Sequence, residues 1–177
     1  MQLGGAGWLN APGWTLERVD SAERQVVAGT NHRAMVRLAK AGRARPAQLT
    51  VFHDLQGAYH LSAVELGPVG SDAPFPAVPT ATAGLPGGWS DQPADHAMVK
   101  EAIQAATTAL AGPDWLGQKV TVEKVNAARL QVVAGMNAYL DVTATVQGQS
   151  RRIEVIMFMP LPGQGAPELE WVRLERL

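Results

Sequence analysis

The sequence predicts an α+β protein in which an antiparallel sheet packs on a single helix, with the sheet built twice. Three observations carry the prediction: a repeat at an offset of 106 residues, one stretch of helical periodicity, and period-two alternation bounded by turn residues.

The repeat sets the organisation of the rest of the chain. Thr15 to Gly57 aligns without gaps on Thr121 to Gly163, matching Glu17 with Glu123, Val19 with Val125, Ala22 with Ala128, Asn31 with Asn137, Gly42 with Gly148 and Leu55 with Leu161. Its densest match is QVVAG, at Gln25 to Gly29 and again at Gln131 to Gly135. Beyond Gly57 the second copy carries two extra residues, after which Leu61, Val64 and Leu66 fall on Leu169, Val172 and Leu174. Insertions of that size belong in loops. The division that follows is a first copy at 1–66, an extended Pro-, Gly- and Ala-rich linker at 67–86, and a second copy at 87–177.

The helix is expected between Ala94 and Ala111. Met98, Ala102, Ala105, Ala106 and Ala109 recur there at spacings of three and four, and Gly112-Pro113 ends the pattern. Strands follow. Leu140, Val142, Ala144 and Val146 alternate with Tyr139, Asp141, Thr143 and Thr145, and the first copy repeats this with Ala34, Val36 and Leu38. Turns fall at Gln147-Gly148 and at Pro160 to Pro167, framing an apolar strand from Ile153 to Met159 and a last strand near Glu168 to Leu177. Each copy therefore ends in a meander, and the second copy places a helix before it.

Composition narrows the functional classes. A net charge of -1, from 15 basic and 16 acidic residues, leaves no electrostatic footprint for nucleic acid or an anionic membrane, so neither is expected as a partner. No run approaches the roughly 18 apolar residues of a membrane-spanning helix. The first residues lack the basic start and apolar run of a signal peptide, which suits a non-secreted chain or a mature form without its leader. The absence of cysteine removes disulfides, thiolate metal sites and cysteine nucleophiles. His32, His53, His60 and His96 are scattered without a metal-ligand spacing, no nucleophile-elbow motif occurs, and LGGAG at Leu3 to Gly7 lacks the strand and helix that a phosphate loop needs. No catalytic residue, metal or cofactor is expected, and the chain reads as a non-enzyme.

One helix, then QVVAG at a first hairpin and Leu-Pro at a second, resembles the cystatins, and the stefin branch most. The stefin-like parts are Gly87-Gly88-Trp89-Ser90, Gln131 to Asn137, Leu161-Pro162-Gly163 and, in the first copy, QVVAGTN (Gln25 to Asn31) and VFHDL (Val51 to Leu55). The resemblance implies a cystatin fold, an antiparallel sheet wrapped on one helix, in two tandem copies of which the first lacks its helix. It also implies a function: reversible, non-covalent inhibition of papain-like cysteine proteases by a three-part edge that enters the active-site cleft. Carried over by position, that edge is Gly87 and Gly88, then Gln131, Val132, Val133, Ala134 and Gly135, then Leu161 and Pro162. Gln25, Val26, Val27, Ala28, Gly29 and Leu55 are its weaker equivalents in the first copy. The departure from many cystatins is Leu161-Pro162 where they carry Pro-Trp, with Trp171 well downstream.

The residues themselves agree with these roles. Glycine before the helix lets backbone approach backbone closely. Val132 and Val133 are adjacent, so at a hairpin tip at least one is expected to face water, and burying such a side chain in a partner's slot is worth about 1.5–3 kcal/mol.

The first copy is the asymmetric part. Trp8-Leu9 aligns on Trp115-Leu116, so this copy begins where the helix of the second ends. Losing about five buried apolar side chains removes roughly 5–10 kcal/mol, comparable with a whole domain's stability of about 5–15 kcal/mol. Its sheet is thus expected to be covered by the second copy, by another segment of a longer chain, or by exchange within a homo-oligomer, and its edge to inhibit poorly or not at all. The alternative function is a binding or structural module that keeps the scaffold without inhibition, its edge buried in the native assembly.

Overall fold

The structure is a computed structural model that describes residues 13–82 and 85–176; the LGGAG stretch and Trp8-Leu9 lie outside them. Among the described residues the chain forms nine strands and one helix. In chain order these are β1 (Thr15–Val27), β2 (Gly29–Lys40), β3 (Arg43–His53), β4 (Tyr59–Leu66), the two-residue β5 (Ser90–Asp91), α1 (Ala97–Ala111), β6 (Val120–Val133), β7 (Gly135–Val146), β8 (Gln149–Met159) and β9 (Glu168–Arg176).

All nine strands belong to one antiparallel sheet, in the order β1-β2-β3-β4-β9-β8-β7-β6-β5. The joint between the copies is the β4–β9 pair, which runs from Ala63 opposite Glu175 to Leu66 opposite Val172. This overturns the expected fold, a cystatin-type sheet wrapped on one helix in each of two tandem copies. The physical reason is the exposed edge. Each meander ends on a strand with a row of unpaired backbone groups, and pairing the two satisfies both. Scale completes the argument: a 15-residue helix is about 22 Å long, whereas nine strands span about 40 Å. The helix covers one half of the sheet and is not wrapped by it.

Local chemistry accounts for the elements. The helix starts at Ala97 rather than Ala94, because His96 caps it by accepting from the Met98 amide at 3.3 Å through Nδ1. It ends where Gly112 turns extended ahead of Pro113. Its buried residues Val99, Ala102, Ala106 and Leu110 face Leu140, Val142, Ile153 and Val155. The β2–β3 and β7–β8 hairpins close on Ala41-Gly42 and Gln147-Gly148, with both residues of each pair at positive φ, the two-residue turn that matches strand twist.

One core runs through both copies on the helix side, joining Val36, Leu38, Ala47, Val64 and Leu66 of the first to Val142, Val155, Val172 and Leu174 of the second. Over the first copy it is completed by Trp14, Leu116 and Trp115. Arg45, fully buried, lies between the Trp14 and Trp115 rings, 5.4 and 4.3 Å from their centroids. It donates to the Gly67 carbonyl from Nε at 2.9 Å and also to the Asp114 carbonyl. Desolvation lowers its pKa to about 10, against a smaller opposing effect of Asp114. On the opposite face Phe75 of the stretch between the copies and Trp89 at the start of the second copy pack over Tyr139, Ile156 and Trp171. The predicted linker therefore lies against the sheet, with neither helix nor strand between Gly67 and Thr82.

Candidate functional site

The candidate site is the end of the sheet where β6 turns into β7 and β8 into β9. Register brings the two turns together, because Met136 at the start of β7 pairs with Met159 at the end of β8. The first turn is Val133-Ala134-Gly135, with Val133 opposite Gly135 across the ladder. Gly135 has φ 129°, and a Cβ there would lie 2.7 Å from the Met159 carbonyl and 2.9 Å from the Phe158 ring. Only glycine lets the hairpin close against β8. The turn holds its valines outward: Val132 is 74% and Val133 42% exposed. Ala134 is also exposed, and Gly135 is buried. Leu161, 47% exposed, and Pro162 stand on the neighbouring turn.

The glycines ahead of the helix reach the same end. Ser90 pairs with Leu130, so the chain running back from it travels toward the tip of β6. Gln131 donates from Nε2 to the Gly87 carbonyl at 2.8 Å and accepts from Asn137 at 3.0 Å, clamping that segment to the hairpin. Gly87 has φ 71°, and a Cβ on Gly88 would collide with Thr82. Both glycines are therefore required by a tight turn, in which the Thr82 amide donates to the Trp89 carbonyl at 2.8 Å and the Gly88 amide to the Leu85 carbonyl at 3.0 Å. This turn exposes Leu85, a residue that sequence reasoning missed. It sits in a Pro- and Gly-rich stretch with no periodicity, and only the fold of the turn reveals it.

Behind the tips, Met98 and Glu101 of α1 face Met136, Met159, Pro160 and Pro162 across an open cleft of about 480 Å³. Trp171 is absent from the edge, being fully buried against Tyr139 and Ile156. Gly87, Gln131, Val132, Val133, Leu161 and Pro162 thus share one end of the sheet, and among the described residues that end is not packed against the first copy.

The first-copy residues are elsewhere. Because β4 and β9 are antiparallel, the turn at Val27 to Gly29 and the loop at 54–58 lie at the opposite end of the sheet. Gln25, Val26, Val27, Ala28 and Leu55 are exposed there, and Gly29 is buried. Where the second copy buries Leu130, Ala138 and Met159 on the helix side, the first carries Arg24, His32 and His53. His53 stacks on Tyr59 with ring centroids 4.2 Å apart, and His32 lies 6.4 Å from each. Near its tips, this face, which carries no helix among the described residues, has become polar.

A second cluster of charge lies on the other face, on the seam. Arg152 pairs with Asp141 at 2.7 Å, and Arg173 lies 3.7 Å from Glu154 and 3.9 Å from Glu65. The Tyr139 hydroxyl donates to Glu154 at 2.5 Å, and desolvation, with Glu154 beside it, raises its pKa. Opposite charges thus face one another across adjacent strands, while the buried Arg173 Nε makes no hydrogen bond. Among the described residues no group of three or more His, Asp or Glu side chains is placed to hold a metal ion. The chain matches no protein-family model and no curated protein.

Proposed function

We propose that the protein is a reversible, non-covalent inhibitor of papain-like cysteine proteases, acting through the second-copy edge formed by Gly87, the Gln131 to Gly135 hairpin and Leu161-Pro162. The observation that carries the reading is the exposure of Val132, Val133 and Leu161 on adjoining turns, with the Gly87 segment clamped to them by Gln131. Apolar side chains held in water by rigid turns contribute nothing to the core of this chain, and they suit an apolar slot on a partner. The turns are set by ladder register and a glycine that tolerates no side chain, so little conformational entropy remains to be lost on binding. The reading rests on the loop sequences and their presentation, not on the overall fold.

Titration of papain with the full chain tests it, beside Val133→Asp and Leu161→Asp. The parent protein should inhibit reversibly. Each aspartate variant should weaken inhibition by about 100-fold or more, since it removes an apolar contact and places a charge in the cleft. A parent protein that leaves papain activity unchanged overturns the proposal.

A further inference from the structure

We infer that the chain is bivalent: Val26, Val27 and Leu55 form a second docking edge for a papain-type protease, at the end of the sheet opposite the first. This rests on the reading proposed for the second-copy edge and extends it to a surface that the missing helix and anchor argued against.

Three observations carry it. The hairpin backbones match, with Gly29 at φ 125° against 129° at Gly135. A Cβ on Gly29 would meet the His53 carbonyl and the Phe52 ring at 2.7 Å, as one on Gly135 meets Met159 and Phe158. The neighbouring loop is built as firmly, because the Asp54 carboxylate accepts from the Gln56 and Ala58 amides at 2.9 and 2.8 Å and pairs with His60 Nε2 at 2.9 Å. That frame holds Leu55 outward, 78% exposed, while Val26 and Val27 are 74% and 46% exposed.

The third observation is selective divergence between the copies. Arg24, which is exposed, and His32 and His53, which are half-buried, are polar where the second copy is apolar. The tip residues are not: Val26, Val27 and Leu55 match Val132, Val133 and Leu161, and are at least as exposed. Polar replacement is thus tolerated around this end of the sheet, and the three adjoining tip residues have escaped it together, which points to a surface that meets an apolar partner.

Geometry allows both edges to be occupied. From Tyr59 along β4 to the β9 rung and on to Glu168 is about 35 Å at ~3.3 Å per residue. The tips also point away from each other, so two proteases approach from opposite directions. The first edge has no counterpart of the clamped Gly87 segment among the described residues, and it should bind about 10- to 100-fold more weakly, the effect of losing one apolar contact.

The test is stoichiometry, measured by light scattering and native mass spectrometry with papain blocked by a methylthio group on its active cysteine. Protease is raised to about a hundredfold above the level that saturates the tighter site, to compensate for the weaker edge. The expected result is two proteases on the parent chain, one when Val133→Asp and Leu161→Asp are combined, one when Val27→Asp and Leu55→Asp are combined, and none with all four. The pairs are needed because one aspartate costs about 100-fold, which this excess of protease would itself overcome, and circular dichroism checks that each variant is folded. One protease on the parent chain overturns bivalency; if Val133→Asp with Leu161→Asp then abolishes binding, the function proposed for the second-copy edge stands. No protease on the parent chain overturns both.

Discussion

Glu65 and Arg173 occupy equivalent positions of the two copies and pair directly across β4 and β9, with Arg173 Nε 3.9 Å from Glu65 Oε1. On either side Val64 meets Leu174 and Leu66 meets Val172, each pair being the other with the copies exchanged. The two halves are thus related by an internal pseudo-twofold axis through this ion pair. The same axis between two identical strands would set Glu65 against Glu65, or Arg173 against Arg173. Like charges directly opposite are destabilising, so this one position favours β4 with β9 over either strand with its own copy.

Reversing the charge at Glu65 should therefore loosen the seam. Glu65→Arg is expected to cost about 1–2 kcal/mol and Glu65→Gln less than half of that, since both also disturb the bond from Gln48 at 2.7 Å. Urea denaturation measures both. The difference between the variants should narrow in high salt, because repulsion between partly exposed arginines is screened; equal stabilities at low salt would refute a role for charge in the pairing.

Gly135→Ala should damage the candidate site at its foundation. Its Cβ would lie 2.7 Å from the Met159 carbonyl, at a φ that L-residues rarely adopt. A loss of about 2 kcal/mol or more is expected in thermal unfolding, with weakened papain inhibition. Gly29→Ala should be similarly destabilising while leaving the second-copy edge intact.

Arg45→Ala should cost about 3 kcal/mol, because it removes the layer between Trp14 and Trp115 and leaves the Gly67 and Asp114 carbonyls unpaired. Arg45→Lys should not recover the loss, since an ammonium neither stacks as a plane nor bridges two carbonyls with a fork. Chemical denaturation of the two variants decides this.

Leu85→Ser separates binding from stability. The side chain is exposed on the turn next to Gly87, so melting should be unchanged within about 0.5 kcal/mol. Papain inhibition should fall by about tenfold, the effect of one apolar contact. Unaltered inhibition would remove Leu85 from the edge.

The Asp54 loop should respond to acid. The hydrogen bond from His60, then those from Ala58 and Gln56, hold the Asp54 carboxyl below its ordinary value of 3.8. A depressed carboxylate pKa contributes order that is complete above the unfolded value and is lost as pH falls through the folded one. Amide exchange at Gln56 and Ala58, corrected for intrinsic rates, should therefore lose protection below about pH 4, and Asp54→Ala should show the same loss at neutral pH.

Much of this was legible in residue order. The β7 alternation, the apolar run of β8, the Gln147-Gly148 turn and the Gly112-Pro113 stop are short-range signals, and they correspond to elements that the structure contains. The candidate tips were legible because QVVAG and the two Leu positions recur at one offset. Leu85 was not, since its exposure comes from a turn closed by Thr82 and Trp89. Nor was the docking of Phe75 and Trp89 on Tyr139, which lies in a stretch without periodicity.

By itself the sequence determined that the chain is a repeat, where the one helix of the second copy lies, and which apolar residues stand at hairpin tips. Those are properties of neighbours along the chain. Only the tertiary structure decided that the copies share one sheet and that their tips point in opposite directions. Strand pairing is made by backbone groups that every residue carries, so an open edge does not announce its partner. The complementarity of Glu65 and Arg173 became readable only once β4 and β9 were in register.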